Sequence, residues 1–154
     1  MNTIKKMNAF GWVSIAAGVL ALVGLIIYIV SSVTGYMSGQ KVNALPIVFA
    51  IIAIILLVGA PLLAGKVDSR ILPVADLVAG VLLIIGACVF INTRVSLFAD
   101  IYFIPVNYPA SEEASLSISL AGMIFYIISF VAACVPVFAG SFLKKSAQST
   151  ELSK

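Results

Sequence analysis

The sequence has no histidine, and only two of its 154 residues are cysteine. Without histidine, the chain cannot build histidine metal sites or use an imidazole for acid–base catalysis. Cys88 and Cys134 are too far apart to form a Cys-x-x-Cys motif, which argues against a thiol–disulfide enzyme. There is also no acidic cluster of the kind that holds a divalent ion. We therefore expect no cofactor, no metal and no enzymatic activity.

Charged residues are scarce as well, at 10% of the chain, whereas hydrophobic residues make up 62%. Soluble domains contain about a quarter charged residues on average. A helix of roughly 20 apolar residues is long enough to cross a bilayer. Four stretches with almost no charge exceed that length, and they lie at 7–40, 42–65, 71–93 and 114–143, with Asp76 the only charge among them.

These stretches predict an all-α integral membrane protein with four transmembrane helices in residues 1–143. Too few residues remain outside the predicted helices to form a soluble domain. The expected spans are approximately 10–33, 43–64, 71–93 and 115–142, with an extracytoplasmic segment at 94–114. We expect a polar, disordered cytoplasmic tail at 144–154.

The basic residues predict the orientation of the chain. If both termini are cytoplasmic, seven Lys and Arg residues lie inside and only Lys41 and Arg94 lie outside. Cytoplasmic loops carry the excess of basic residues in membrane proteins, so we predict a multi-pass plasma-membrane protein with cytoplasmic termini. Short loops and the lack of an Asn-x-Ser/Thr acceptor favour a prokaryotic cell. So few basic residues, placed beside spans, do not indicate a nucleic-acid partner.

The predicted outer segment contains an apolar stretch from Val95 to Ile104. Ser96 and Asp100 are four residues apart in it, which is the spacing of a narrow polar stripe on a helix. Pro105 would end such a helix. Two structures remain possible for residues 95–104, an interfacial helix or a continuation of the third span.

The third span partly repeats the first. Gly18 and Gly24 recur as Gly80 and Gly86 at a constant offset of 62, within similar apolar sequence. Spans two and four share a Pro-x-x-Ala-Gly ending that begins at Pro61 and Pro136. A duplication would give two tandem hairpins related by a pseudo-two-fold axis along the membrane normal. Chance similarity among the few residue types of membrane helices is the alternative.

Small residues recur on one face of several spans, and the candidate interface glycines are Gly18, Gly24, Gly80 and Gly86. Lipid gives apolar helices no hydrophobic reason to associate, so small faces that allow close backbone approach promote packing. Such faces could serve packing within the chain or contact with another subunit.

Asp76 is a functional candidate because ionisable residues inside spans are costly. It could instead be an edge anchor in the first turn of span three, where the helix dipole favours an anion. Arg94 could pair with Asp100 or with the Glu112–Glu113 pair at the outer surface, or it could contact lipid headgroups. Pro61 and Pro136 could kink their helices or act as paired hinges.

The leading hypothesis is a non-catalytic protein that acts by association in the lipid bilayer, with itself or as an accessory subunit of a membrane complex. The alternative is a small transporter or channel component. Its path would be lined by the few polar residues of the spans, namely Ser14, Asp76, Ser117 and Ser129. An enzyme built on Arg94, Asp100 and Asn107 ranks below both, and span one lacks the acidic residue on which small multidrug exporters depend.

Overall fold

The computed structural model describes residues 9–34, 41–63, 71–103 and 110–151, with the side chains of the last range described from Glu113 to Ala139. These residues form a bundle of four helices. They are α1 (Ala9–Val33), α2 (Leu45–Leu63), α3 (Ile71–Phe103) and α4 (Ala110–Glu151). Each helix contains a stretch that is long and apolar enough to span a membrane. The prediction of an all-helical chain with four candidate spans is therefore confirmed for the described residues.

The third and fourth helices are longer than the spans predicted from hydropathy. α3 continues without interruption to Phe103, so Val95 to Phe103 extend span three instead of forming a separate interfacial helix. α4 begins at Ala110, and much of the predicted segment 94–114 is therefore helical. Residues 104–109, with Pro105, lie outside the described residues. The apolar limits of a span mark where the hydrocarbon ends, whereas a helix continues until a residue breaks it.

The expectation of a disordered tail was wrong for residues 144–151, because α4 continues to Glu151. No glycine or proline follows Gly140 in this helix, so nothing in its sequence forces it to end earlier. Residues 152–154 lie outside the described part of the chain. The predicted turns at 34–42 and 65–70 also fall largely outside it.

Contacts between the helices establish an up-and-down bundle. The Ser129 hydroxyl donates a 2.7 Å hydrogen bond to the Ala17 carbonyl, and Gly24 faces Tyr126, so α1 and α4 are antiparallel. The Tyr28 hydroxyl donates a 2.8 Å bond to the Asn43 carbonyl just before α2. Around the bundle each helix packs against two neighbours, and α1 and α3 face each other across the diagonal.

The interior of the bundle is lined by smaller and more polar residues than the outside. Fully buried positions include Ala17, Ala53 and Ser129, whereas Ile55 on the outer surface of α2 is 64% exposed. Large aliphatic side chains cover the outward faces of all four helices. A continuous apolar surface of this kind is unfavourable in water. The distribution matches helices that pack through small residues and present aliphatic residues to lipid.

The buried faces of α1 and α3 coincide when the sequence is shifted by 62. The buried positions of α1 recur every seven residues, which is the repeat of a left-handed bundle. Each buried position of α1 shifted by 62 falls on a buried position of α3, except Ser31, whose counterpart Thr93 is half-buried. The similarity of these two helices therefore extends from residue type to burial.

The same test fails for α2 and α4. Aligning Pro61 with Pro136 places Ala50 and Leu57, both buried, on Phe125 and Ala132, which are only half-buried. Both prolines are buried and the helices continue through them. A pseudo-two-fold relation between complete hairpins therefore stays a prediction.

The glycines named as possible interface residues are buried against the chain's own helices. A Cβ atom on Gly18 would lie 2.9 Å from the side chain of Val58, and one on Gly24 would lie 2.7 Å from the Tyr126 ring. Gly80 and Gly86 face Phe130 and Tyr126 at 3.5 and 3.6 Å. Packing within the chain accounts for these four positions, which are not available to another subunit.

Cys88 and Cys134 are both free thiols. Cys134 is half-buried, whereas Cys88 is exposed on the outward side of α3, because it does not belong to the buried heptad positions of that helix.

Replacement of Gly24 by Ala should destabilise the bundle, because the new methyl group would overlap the Tyr126 ring. Overpacking of this kind costs about 1–3 kcal/mol. Gly59→Ala is the matched control, since a Cβ there meets no atom within 4 Å. Thermal unfolding in detergent should give a lower midpoint for Gly24→Ala and an unchanged or higher midpoint for Gly59→Ala. Equal midpoints would contradict the packing described here.

Candidate functional site

Asp76 points into the bundle and is only 5% exposed. Because α3 begins at Ile71, Asp76 lies just beyond the first turn of the helix, and the edge-anchor interpretation stays a prediction. Its Oδ2 atom lies 2.7 Å from the Ser14 hydroxyl of α1, across the bundle diagonal. Its Oδ1 atom is buried and has no hydrogen-bond partner among the described residues. We call this region the Asp76 end of the bundle.

Arg94 is also buried, at 2% exposed. Its Nη2 atom donates hydrogen bonds to the hydroxyls of Ser31 and Ser32 on α1, at 2.9 and 2.7 Å. Both N–H groups of this nitrogen are thereby used, on serines rather than on the outer carboxylates expected from the sequence. The Nε atom is buried without a hydrogen-bond partner among the described residues. We call this region the Arg94 end.

Aromatic rings surround the guanidinium group at the Arg94 end. Its central carbon lies 5.7 Å from the centre of the Tyr28 ring and 5.4 Å from that of Phe90, within the range of cation–π attraction. Phe90 packs edge-on against Tyr28 at 4.7 Å and against Tyr126 at 6.1 Å. This aromatic layer separates the Arg94 end from the small residues at the middle of the bundle.

Three direct contacts between α1 and α3 join residues that are 62 positions apart. They are the Ser14–Asp76 and Ser32–Arg94 hydrogen bonds and the Tyr28–Phe90 ring contact. Equal offsets place α1 and α3 parallel and at one fixed register. Asp76 and Arg94 themselves are 18 residues apart, or about 27 Å along the helix, so they do not form an ion pair.

The remaining polar residues of the proposed transport path do not converge on Asp76. Ser129 donates its hydroxyl proton to the Ala17 carbonyl, and Ser117 is exposed on α4. Asn107 lies outside the described residues, and Asp100 is half-buried in the last turn of α3. Within the described part of the chain, no group of His, Cys, Asp and Glu could hold a metal ion.

Sequence reasoning missed Ser31 and Ser32 as partners of Arg94, and Tyr126 as a member of the neighbouring aromatic layer. The offset of 62 pairs Ser32 with Arg94 and would have indicated that contact. Tyr126 gives no comparable signal, although its fully buried hydroxyl has no hydrogen-bond partner among the described residues.

Comparisons with protein-family models, with curated proteins and with solved structures find no match. The function of this arrangement therefore has to be argued from its own residues.

Replacement of both Ser31 and Ser32 by alanine should destabilise the protein, because it leaves a buried Arg94 nitrogen without acceptors. Losing hydrogen bonds to a charged group costs about 1.5–3 kcal/mol. Ser96→Ala, at an exposed position of α3, is the control and should leave stability unchanged. Denaturation in detergent compares the variants, and a double variant as stable as the control would be inconsistent with a buried Arg94–serine cluster.

Proposed function

We propose that the protein is a non-catalytic, multi-pass membrane protein that acts by association, as an accessory subunit bound to another membrane protein. The interior supports this proposal by its closed packing. Small and aromatic residues fill it, and the hydroxyls of Ser14, Ser31, Ser32 and Ser129 bond to groups of the same chain. A binding partner would therefore contact the outward aliphatic faces of the described part of the bundle.

One feature of those faces favours a protein partner. An apolar groove of about 270 Å³ lies between the C-terminal part of α2 and the start of α3, at the Asp76 end. Gly59, Ala60 and Ala75 line it together with larger aliphatic residues. Unlike Gly18 or Gly24, Gly59 has no atom of the described residues within 4 Å of its Cβ direction. Small residues on an open helix surface allow another helix to approach closely, so we assign the groove to a transmembrane helix of the partner. With the predicted orientation, it lies in the cytoplasmic leaflet.

Replacement of Gly59 by Ile should fill the groove and weaken partner binding without harming the fold, since the position is open. Ala121→Ile adds the same side chain to an exposed position of α4 and should have no effect. Mild-detergent purification followed by mass measurement of the particle tests both variants. The parent and Ala121→Ile should form a larger particle that Gly59→Ile loses by at least tenfold. A monomer carrying only lipid, or a partner retained equally by all three proteins, would contradict the proposal.

Transport is the second candidate, and the burial of Asp76 favours it. An ionisable residue inside a bundle is costly and often marks an ion or proton pathway. Asp76 contacts Ser14 of the opposite helix and keeps one oxygen unpartnered among the described residues, as a coupling site would.

A liposome flux assay distinguishes the two candidates. If the protein is a proton-coupled transporter, Asp76→Asn should abolish flux while the protein still inserts and folds, because the amide cannot exchange a proton. Equal flux at background level for parent and variant would remove transport of the solutes tried. The association proposal predicts that same background result.

A further inference from the structure

Three oxygen atoms form a row at the Asp76 end. The Ser14 Oγ atom lies 3.2 Å from the Phe10 carbonyl oxygen and 2.7 Å from Asp76 Oδ2. A serine hydroxyl carries a single proton, so it can donate fully to only one of these two oxygens. The second of the two oxygen–oxygen contacts is a hydrogen bond only if another group supplies its proton. The Phe10 carbonyl cannot supply one, because it is an acceptor only.

If Asp76 were ionised, Ser14 would have to donate to it. The carboxylate would then be buried with one hydrogen bond, since Oδ1 has no partner among the described residues. A buried charge is expensive unless it is paired with an opposite charge and hydrogen-bonded on its remaining atoms.

No described residue supplies the opposite charge. α1 and α2 contain no charged residue, and Glu113, at the other end of α4, is the only charged residue among its described side chains. Arg94 is about 27 Å away along α3 and is directed to the serines of the other end. The described titratable side chains of the other three helices are Tyr28 of α1 and Glu113, Tyr126 and Cys134 of α4, and none of them is a cation.

If Asp76 is protonated, every proton in the row has one acceptor. The carboxylic acid donates to Ser14 Oγ, and Ser14 donates to the Phe10 carbonyl. The short 2.7 Å contact is typical of an O–H···O bond in either direction. Only the protonated form of Asp76 satisfies both Ser14 contacts at once. In this form Oδ1 is a neutral carbonyl oxygen and does not belong to a charged carboxylate.

We propose that Asp76 and Ser14 form a buried proton-binding site, in which Asp76 is held as the neutral acid and donates its proton to Ser14. The site joins α1 to α3, so removal of the proton would convert a donor into a charge at a contact between two helices. The α1–α3 contact at this end is therefore linked to protonation. This inference does not depend on either proposed function. A proton bound at Asp76 can be a permanent part of the structure, or it can exchange with another group.

Infrared spectroscopy of the purified full-length protein at neutral pH, in bilayers of ether-linked lipids that lack ester carbonyl groups, tests the proposal. A protonated carboxyl group has a C=O stretching band that carboxylates and amides lack. The parent should show this band, and Asp76→Asn should lose it while keeping a folded, monodisperse particle. The side-chain amide that this substitution introduces can still donate to Ser14, which is why the fold should survive the change.

The second test replaces Ser14, the residue that accepts the Asp76 proton. Ser14→Ala removes the oxygen that receives the proton, so the band should persist and shift to higher wavenumber, as expected for a weaker hydrogen bond. Ser129→Ala removes a hydroxyl bonded elsewhere in the core and should leave the band in place. A parent protein without the band would show that Asp76 is ionised and would overturn the proposal. A band that survives in Asp76→Asn would belong to another carboxyl group and would overturn it equally.

Discussion

The structure depends on one constraint, which is that an ionisable side chain inside an apolar bundle needs a hydrogen-bond partner within the chain. Asp76 and Arg94 both point inward from α3, and both find hydroxyl groups on α1. Their separation of about 27 Å along the helix places one such contact near each end of the bundle. Two contacts at fixed positions allow one register of α1 against α3, because sliding by a turn would leave both polar groups unpaired. Apolar packing alone is far less selective, since similar small residues recur along both helices.

Small residues make these diagonal contacts possible. α1 and α3 approach across the bundle because glycine or alanine occupies four of the nine buried positions of each helix. Tyr126 of α4 fills the remaining space over Gly24 and Gly86. The glycines that the sequence offered as possible subunit contacts are therefore buried in contacts within the chain. Gly59 differs because the space before it is open, and this difference directs the search for a partner to α2.

Hydropathy predicted the four helices well, because a membrane span needs a long uncharged stretch and little else. It did not predict where α3 and α4 end, since Val95 to Phe103 and residues 144–151 are helical for local reasons that hydropathy does not measure. The sequence singles out Asp76 and Arg94 as ionisable residues near a span, but their burial depends on the rotation of α3 about its axis. That rotation follows from the heptad positions that α3 shares with α1. The expectation that Arg94 pairs with an acidic residue came from charge alone and overlooked two serines and two aromatic rings.

Thiol cross-linking in native membranes tests the fixed register of α1 and α3 most directly. Cys88→Ala and Cys134→Ala provide a cysteine-free background, in which the pair Ser14→Cys with Asp76→Cys and the pair Ser32→Cys with Arg94→Cys are each treated with a short bifunctional reagent. Both pairs should link much faster than Ser14→Cys with Gly80→Cys, which lies one helical turn out of register. If the displaced pair links as readily as the matched pairs, α1 and α3 are not held at this register and the account of the bundle fails.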